Sequence, residues 1–168
     1  VCKCLFYINS VDFGDDDDTG DTSEPAEETP FFSLHVVAGV PICNTVQLKL
    51  DLGAASFIAL VNTGSTHSFI GEAAAQRTGW TIQPRPRLTA TVANGEKVAC
   101  PGVLRQAPVT INGKEFCVDL FVMPLAGYDV VLGTEWMAML APIVWDFATR
   151  TITFQHEGRD VCWRGVPP

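Results

Sequence analysis

Chemistry in this 168-residue chain gathers at Leu60-Val61-Asn62-Thr63-Gly64-Ser65-Thr66, where the apolar run Phe57 to Val61 meets a polar residue and then Thr-Gly at a sharp turn. The Asn62 amide can donate and accept hydrogen bonds, but it has no ionisable proton and cannot take one from water. Asn, Thr and Gly are also common turn residues, so the triplet alone reads as an ordinary strand-to-turn corner. Other candidates are weaker. His35, His67 and His156 are isolated, and His67 lies so close to Ser65 and Ser68 that all three read as loop groups, not as a nucleophile with its base. Cys100 and Cys117 would need a neighbouring base to act as nucleophiles, and none is indicated. Trp80, Trp136, Trp145 and Trp163 read as core and interface packing.

The elements that must hold this corner are mostly strands. Ser33 to Val37, Thr45 to Leu52 and Ser56 to Val61 are short β-compatible runs, broken at Gly39-Val40-Pro41 and Leu52-Gly53-Ala54. Leu88 to Val92 and Lys97 to Val103 flank Asn94-Gly95, and Val109 to Ile111 and Glu115 to Val122 flank Asn112-Gly113. Asn-Gly favours a type I′ hairpin turn because both residues tolerate positive φ, so two hairpins and an antiparallel sheet are expected. Helices are few and short. Glu72 to Arg77 stops at Gly79, a natural C′ residue; a second helix is expected from Thr134 as N-cap, ending before Pro142. Ile143 to Phe147 and Arg150 to Phe154 read as a closing pair of strands around Ala148-Thr149. The class expected is all-β with two short helices.

Charge is unevenly placed. Residues 1–30 hold nine acids and one base, Lys3, while residues 31–168 hold ten of each. The stretch Asp12 to Pro30, with the run Asp15 to Asp18, cannot bury enough apolar area to offset its ordering entropy and reads as a disordered acidic linker. Its carboxylates lack the alternating spacing of a calcium loop. The neutral remainder has no basic stripe with interleaved aromatics, which argues against nucleic-acid binding. Leu5 to Ile8 falls short of a signal-peptide core and no run could span a bilayer, so a cytoplasmic protein without membrane contact is expected. Cys2, Cys4, Cys43, Cys100, Cys117 and Cys162 form no dense framework and read as reduced thiols. Two thiols at Cys2-Lys3-Cys4 do not complete a tetrahedral zinc site, so no metal or other cofactor is expected.

In order along the chain stand the Asn62-Thr63-Gly64 corner, a helical turn, an Asn-Gly hairpin, paired strands, and Tyr128-Asp129-Val130-Val131-Leu132-Gly133 running into a helix. This order resembles a retropepsin, the single-domain aspartic protease of retroviruses and LTR retrotransposons. Leu60 to Ile70, Val92-Ala93-Asn94-Gly95 and Val131 to Trp136 are most similar to the protease segment of Ty3/gypsy-type polyproteins, especially those of plants. Trp145-Asp146-Phe147 resembles the strand closing that segment, and Cys2 to Phe6 the chain just after a nucleocapsid zinc knuckle.

The resemblance implies a half-barrel that dimerises about a two-fold axis, each subunit supplying one carboxylate to a dyad that activates water. Domain bounds of 1–30 for the linker, 31–155 for the protease domain and 156–168 for a C-terminal tail follow. The catalytic position is then Asn62, with Thr63 bonding across the axis and Gly64 allowing the turn. Substrate contacts fall to Leu60, Ser65, Val92, Ala93, Asn94, Gly95 and Val131, with Thr91 to Lys97 as a flap over an extended peptide. The amide removes the acid–base group from both halves, and general acid–base catalysis alone is worth about 10²- to 10⁴-fold, so no cleavage is expected. Two origins suit Asn62: a deliberate Asp-to-Asn change, which the intact loop favours, or a natural loss in a copy kept for peptide binding or dimerisation. A shuttle-type retropepsin of the ubiquitin pathway is disfavoured, because no accessory domain fits the acidic segment.

Overall fold

The computed structural model describes residues 31–32, 45–92, 95–125 and 127–167. The expected acidic linker, the strand expected at Ser33 to Val37, and Ala93 and Asn94 of the expected flap lie outside the described residues. Thirteen strands and two helices are present among those described.

Alternation drives the first hairpin. Strand β2 (Val46–Leu52) buries every second residue, the period of a strand with one face on a core. It turns at Gly53 into β3 (Ala55–Val61), whose last three residues are all buried as it passes under the Asn62 corner. Gly53 is at φ +59, and a Cβ there would lie 2.1 Å from the Thr78 carbonyl oxygen, so only glycine lets this turn rest on the following helix. Strand β4 (Ser68–Ile70) leads into α1 (Glu72–Thr78), which stops at Gly79 in the left-handed conformation, as expected from the sequence.

Two short strands, β5 (Gln83–Pro84) and β6 (Thr89–Val92), precede β7 (Lys97–Ala99). The strand expected to run from Lys97 to Val103 is broken at Cys100-Pro101, where Pro101 offers no N–H to a ladder. It resumes as β8 (Gly102–Ile111), which turns at Asn112 and Gly113, both at positive φ, into β9 (Lys114–Val122). Strand β10 (Val130–Leu132) leads to α2 (Thr134–Ala138), and β11 (Ile143–Asp146), β12 (Thr151–His156) and β13 (Arg159–Arg164) follow.

The main sheet runs β2-β3-β10-β4-β9-β8-β5, and β2 pairs again with β8, which closes six strands into a barrel. Pairing is not purely antiparallel: β10 lies parallel to β3, β4 to β9, and the two-residue β1 (Phe31–Phe32) to β6. The expected antiparallel sheet is corrected accordingly, because parallel neighbours are joined over long stretches of chain that turn signals do not reveal. Leu48, Leu50, Leu104, Val109, Leu120 and Trp136 are among the residues that fill the barrel. A second cluster joins Leu60, Phe69, Ala90, Val92, Phe121 and Val131 beside the β6–β7 hairpin.

Two further boundaries differ from expectation. Thr134 is the first residue of α2 and not its cap, which is Gly133, and no side chain caps the helix. Residues 156–168, expected as a tail, include β13, paired with β12 from Thr151↔Arg164 to His156↔Arg159. The turn between them uses Glu157 and Gly158 at positive φ, and Trp163 is buried edge-on against Phe154 at 4.8 Å and Phe116 at 6.2 Å. That aromatic burial fastens the last strand to the body.

Candidate active site

The Asn62 corner sits where two parallel strands end together. Leu132 pairs with Val61 in register, and Asn62 N–H donates to the Leu132 carbonyl at 3.0 Å. The chain then folds back on itself: Ser65 N–H donates to the Asn62 carbonyl at 3.3 Å. Both arms of the Asn62 amide are used within the loop. Its Oδ1 accepts from Gly64 N–H at 3.0 Å, and its Nδ2 donates to Ser65 Oγ at 2.9 Å. Asn62 is half-buried, Ser65 fully buried and Thr63 exposed.

The start of α2 pins the far side of this loop. The first N–H groups of a helix lack partners within it. Here Thr134 N–H donates to Ser65 O at 2.8 Å and Glu135 N–H to Thr66 O at 3.0 Å, so loop carbonyls replace the capping side chain expected from Thr134. Gly133 N–H donates to Ser68 Oγ at 3.1 Å. A Cβ on Gly133 would stand 2.2 Å from His67 O and 2.7 Å from Ser65 O, so glycine is what lets the two segments touch. Ser68 is fully buried, and nothing in its local sequence distinguishes it from a surface loop serine.

His67 is not part of a nucleophile–base pair. Its Nδ1 lies 2.8 Å from the neighbouring Thr66 hydroxyl and its ring stands edge-on to Phe121 at 5.5 Å. Cys100 is buried, and desolvation pushes its thiol up to about 11, which makes it a poor nucleophile at neutral pH. Among the described residues no group of three or more His, Cys, Asp or Glu side chains could hold a metal. No helix among them is long and apolar enough to cross a membrane.

A chain with this loop on this barrel has known counterparts. The sequence pattern described as retroviral aspartyl protease matches residues 39–160. This chain belongs to the retroviral aspartyl protease family. Among solved structures it is similar to the retroviral protease-like domain of Ddi1 from Leishmania major, with a TM-score of 0.57 and 17% identity, over 73% of this chain and 94% of that one. Comparison with curated proteins gave no match. The fold is retropepsin-like: mostly β, a six-stranded barrel with two helices.

Within that family fold the residues singled out from sequence separate into two groups. Asn62, Thr63, Gly64 and Ser65 are brought together in one hydrogen-bonded corner. Leu60, Val92 and Val131 are 1%, 1% and 0% exposed and share one buried cluster beside this corner. Gly95 stands at φ +86 in the β6–β7 turn, where its N–H donates to Val92 O at 2.8 Å. Two surface clefts of about 390 Å³ flank the segment after β9 and share Leu125, Tyr128 and Asp129, with no residue of the Asn62 loop in either.

Proposed function

We propose that this chain is one half of a retrotransposon-type aspartic endopeptidase, with Asn62 at the position of the catalytic aspartate and a second copy needed to face it. The observation that carries the reading is the corner itself. Position 62 directly follows the end of β3 beside the parallel β10, its side chain is oriented by Gly64 N–H and Ser65 Oγ, and Thr63 beside it is exposed. Thr63 has no described side-chain partner within its own chain, which suits a hydroxyl that bonds across a two-fold axis.

With an aspartate at 62, Gly64 N–H would donate to one carboxylate oxygen and the Ser65 hydroxyl could donate to the other. Two such carboxylates, one per subunit, share a proton; the pair serves as base towards water and acid towards the peptide carbonyl. With Asn62 in both subunits neither task has a group to perform it. The substrate is an extended peptide, bound as a strand between the loop and the β6–β7 hairpin. Ty3/gypsy-like spellings at Leu60 to Ile70 and Val131 to Trp136 support a polyprotein of that kind as the source.

A second reading, a natural pseudoprotease kept for peptide binding or dimerisation, is favoured by one detail. Both arms of the amide are satisfied within the loop, so the folded corner does not depend on an acid. Cleavage of acid-denatured casein by the chain and by its Asn62→Asp variant, with and without pepstatin, decides between the two. The endopeptidase reading expects only the variant to cut and pepstatin to stop it. If neither cuts while both sediment as dimers, the binding reading replaces it.

A further inference from the structure

The strand β6 has two edges. One is held by β7, with Val92 N–H donating to Glu96 O at 2.9 Å and Ala90 opposite Val98. Backbone groups alternate in direction along a strand, so the N–H and C=O of Thr91 face the other edge. That edge is not open: Phe31–Phe32 lies along it in parallel, with Phe31 opposite Thr91 and Phe32 opposite Val92. The strand also packs beside the site: the Ala90 and Val92 side chains share one buried cluster with Leu60 and Val131, which flank the Asn62 corner on β3 and β10.

An extended peptide that adds a strand to a sheet draws its affinity from main-chain groups on a free edge. Resting on the peptide-binding reading above, we infer that Phe31–Phe32 is a built-in occupant of the edge that a peptide ligand must take, so the chain competes with its own ligands. A tethered segment acts at an effective concentration of about millimolar, which a peptide in solution must exceed to displace it. Apparent affinity falls in proportion to the fraction of molecules in which the edge is free. Covering the edge also protects it against pairing with other chains, which is the reason to expect some cover in any case.

The test uses the full chain and a Phe31→Pro/Phe32→Pro variant, because proline has no N–H and cannot continue the ladder. A Phe31→Leu/Phe32→Leu variant keeps both N–H groups and serves as control. The probe is a fluorescein-labelled peptide with the sequence of residues 26–37, followed by anisotropy, alongside hydrogen exchange at the Thr91 amide. Expected are a dissociation constant about tenfold or more lower for the proline variant and faster Thr91 exchange without peptide, with the leucine control behaving as the parent. Equal exchange in all forms overturns the pairing. Faster exchange with unchanged affinity reduces the segment to an edge cover and overturns the competition. No binding to any form removes the peptide-binding reading itself, and the inference with it.

Discussion

Replacing Gly133 with alanine isolates the contact that holds the Asn62 loop against α2. Gly133 has φ −93 and ψ −171, extended backbone that any residue adopts, so conformational strain does not enter. The new Cβ would lie 2.2 Å from His67 O and 2.7 Å from Ser65 O, and both are backbone atoms that cannot swing aside. To make room the segments must part, which endangers Thr134 N–H to Ser65 O at 2.8 Å, Glu135 N–H to Thr66 O at 3.0 Å and Gly133 N–H to Ser68 Oγ at 3.1 Å. At about 1 kcal/mol net for each bond, the expected loss is about 3 kcal/mol, a factor of roughly 10² in the folding equilibrium. Gly113→Ala is the comparison: nothing lies within 4 Å of its Cβ, but φ is +79, so only left-handed strain of about 1–2 kcal/mol applies. Urea unfolding followed by tryptophan fluorescence gives both values. If Gly133→Ala costs less than Gly113→Ala, the close approach does not clamp the loop.

Three other outcomes follow from the same structure. Trp163→Ala should cost about 3–5 kcal/mol, because it empties an aromatic cluster with Phe154 and Phe116; a loss under about 1 kcal/mol in the same unfolding assay would return residues 156–168 to the status of a tail. Burial alone would raise the Asp119 carboxyl, but the Gln106 backbone N–H at 2.7 Å and the Arg105 guanidinium at 2.9 Å outweigh it and hold it below its ordinary value. Its folded pKa is therefore below the unfolded one, so the stabilisation is complete above the unfolded value and is lost as pH falls through the folded one. Asp119→Asn should destabilise by about 1–3 kcal/mol at pH 7, with the gap to the parent closing below about pH 4; a gap independent of pH would refute the assignment. Cys100 should resist iodoacetamide at pH 8 in the folded protein while exposed Cys117 and Cys162 react, and peptide mapping that finds Cys100 and Cys117 modified equally fast would contradict its burial.

Local signals in the sequence were the ones that could be read. Asn112-Gly113 makes its hairpin because both residues must take positive φ, and Gly79 ends α1 for the same reason. The Asn62 corner was legible because an apolar strand, a polar end and Thr-Gly leave few other conformations. Partners far along the chain were not legible. The β3–β10 pair brings Val61 beside Leu132, and no turn chemistry marks that meeting. Thr134 was expected to cap α2 because a threonine before a helical run usually does, but tertiary contact with Ser65 O and Thr66 O took over the task. The burial of Leu60, Val92 and Val131 was legible only as apolar character, since hydrophobicity alone does not say which side of a loop a residue faces. Strand β13 was hidden by Arg159, Asp160 and Arg164, which are exposed on it, although Glu157-Gly158 offered a turn signal.

The central claim is a half-site whose acid position is Asn62 and whose other half is a second copy. It is tested most directly by mixing: the Asn62→Asp variant at fixed concentration, assayed for casein cleavage as the unaltered chain is added. Random pairing with an equal amount of Asn62 chain should lower activity by about half, and a ninefold excess to about a tenth, because mixed dimers hold one carboxylate where two are needed. Activity that appears in the variant but is unmoved by added Asn62 chain would contradict a site shared between two copies. A variant that never cuts would contradict the catalytic assignment of position 62.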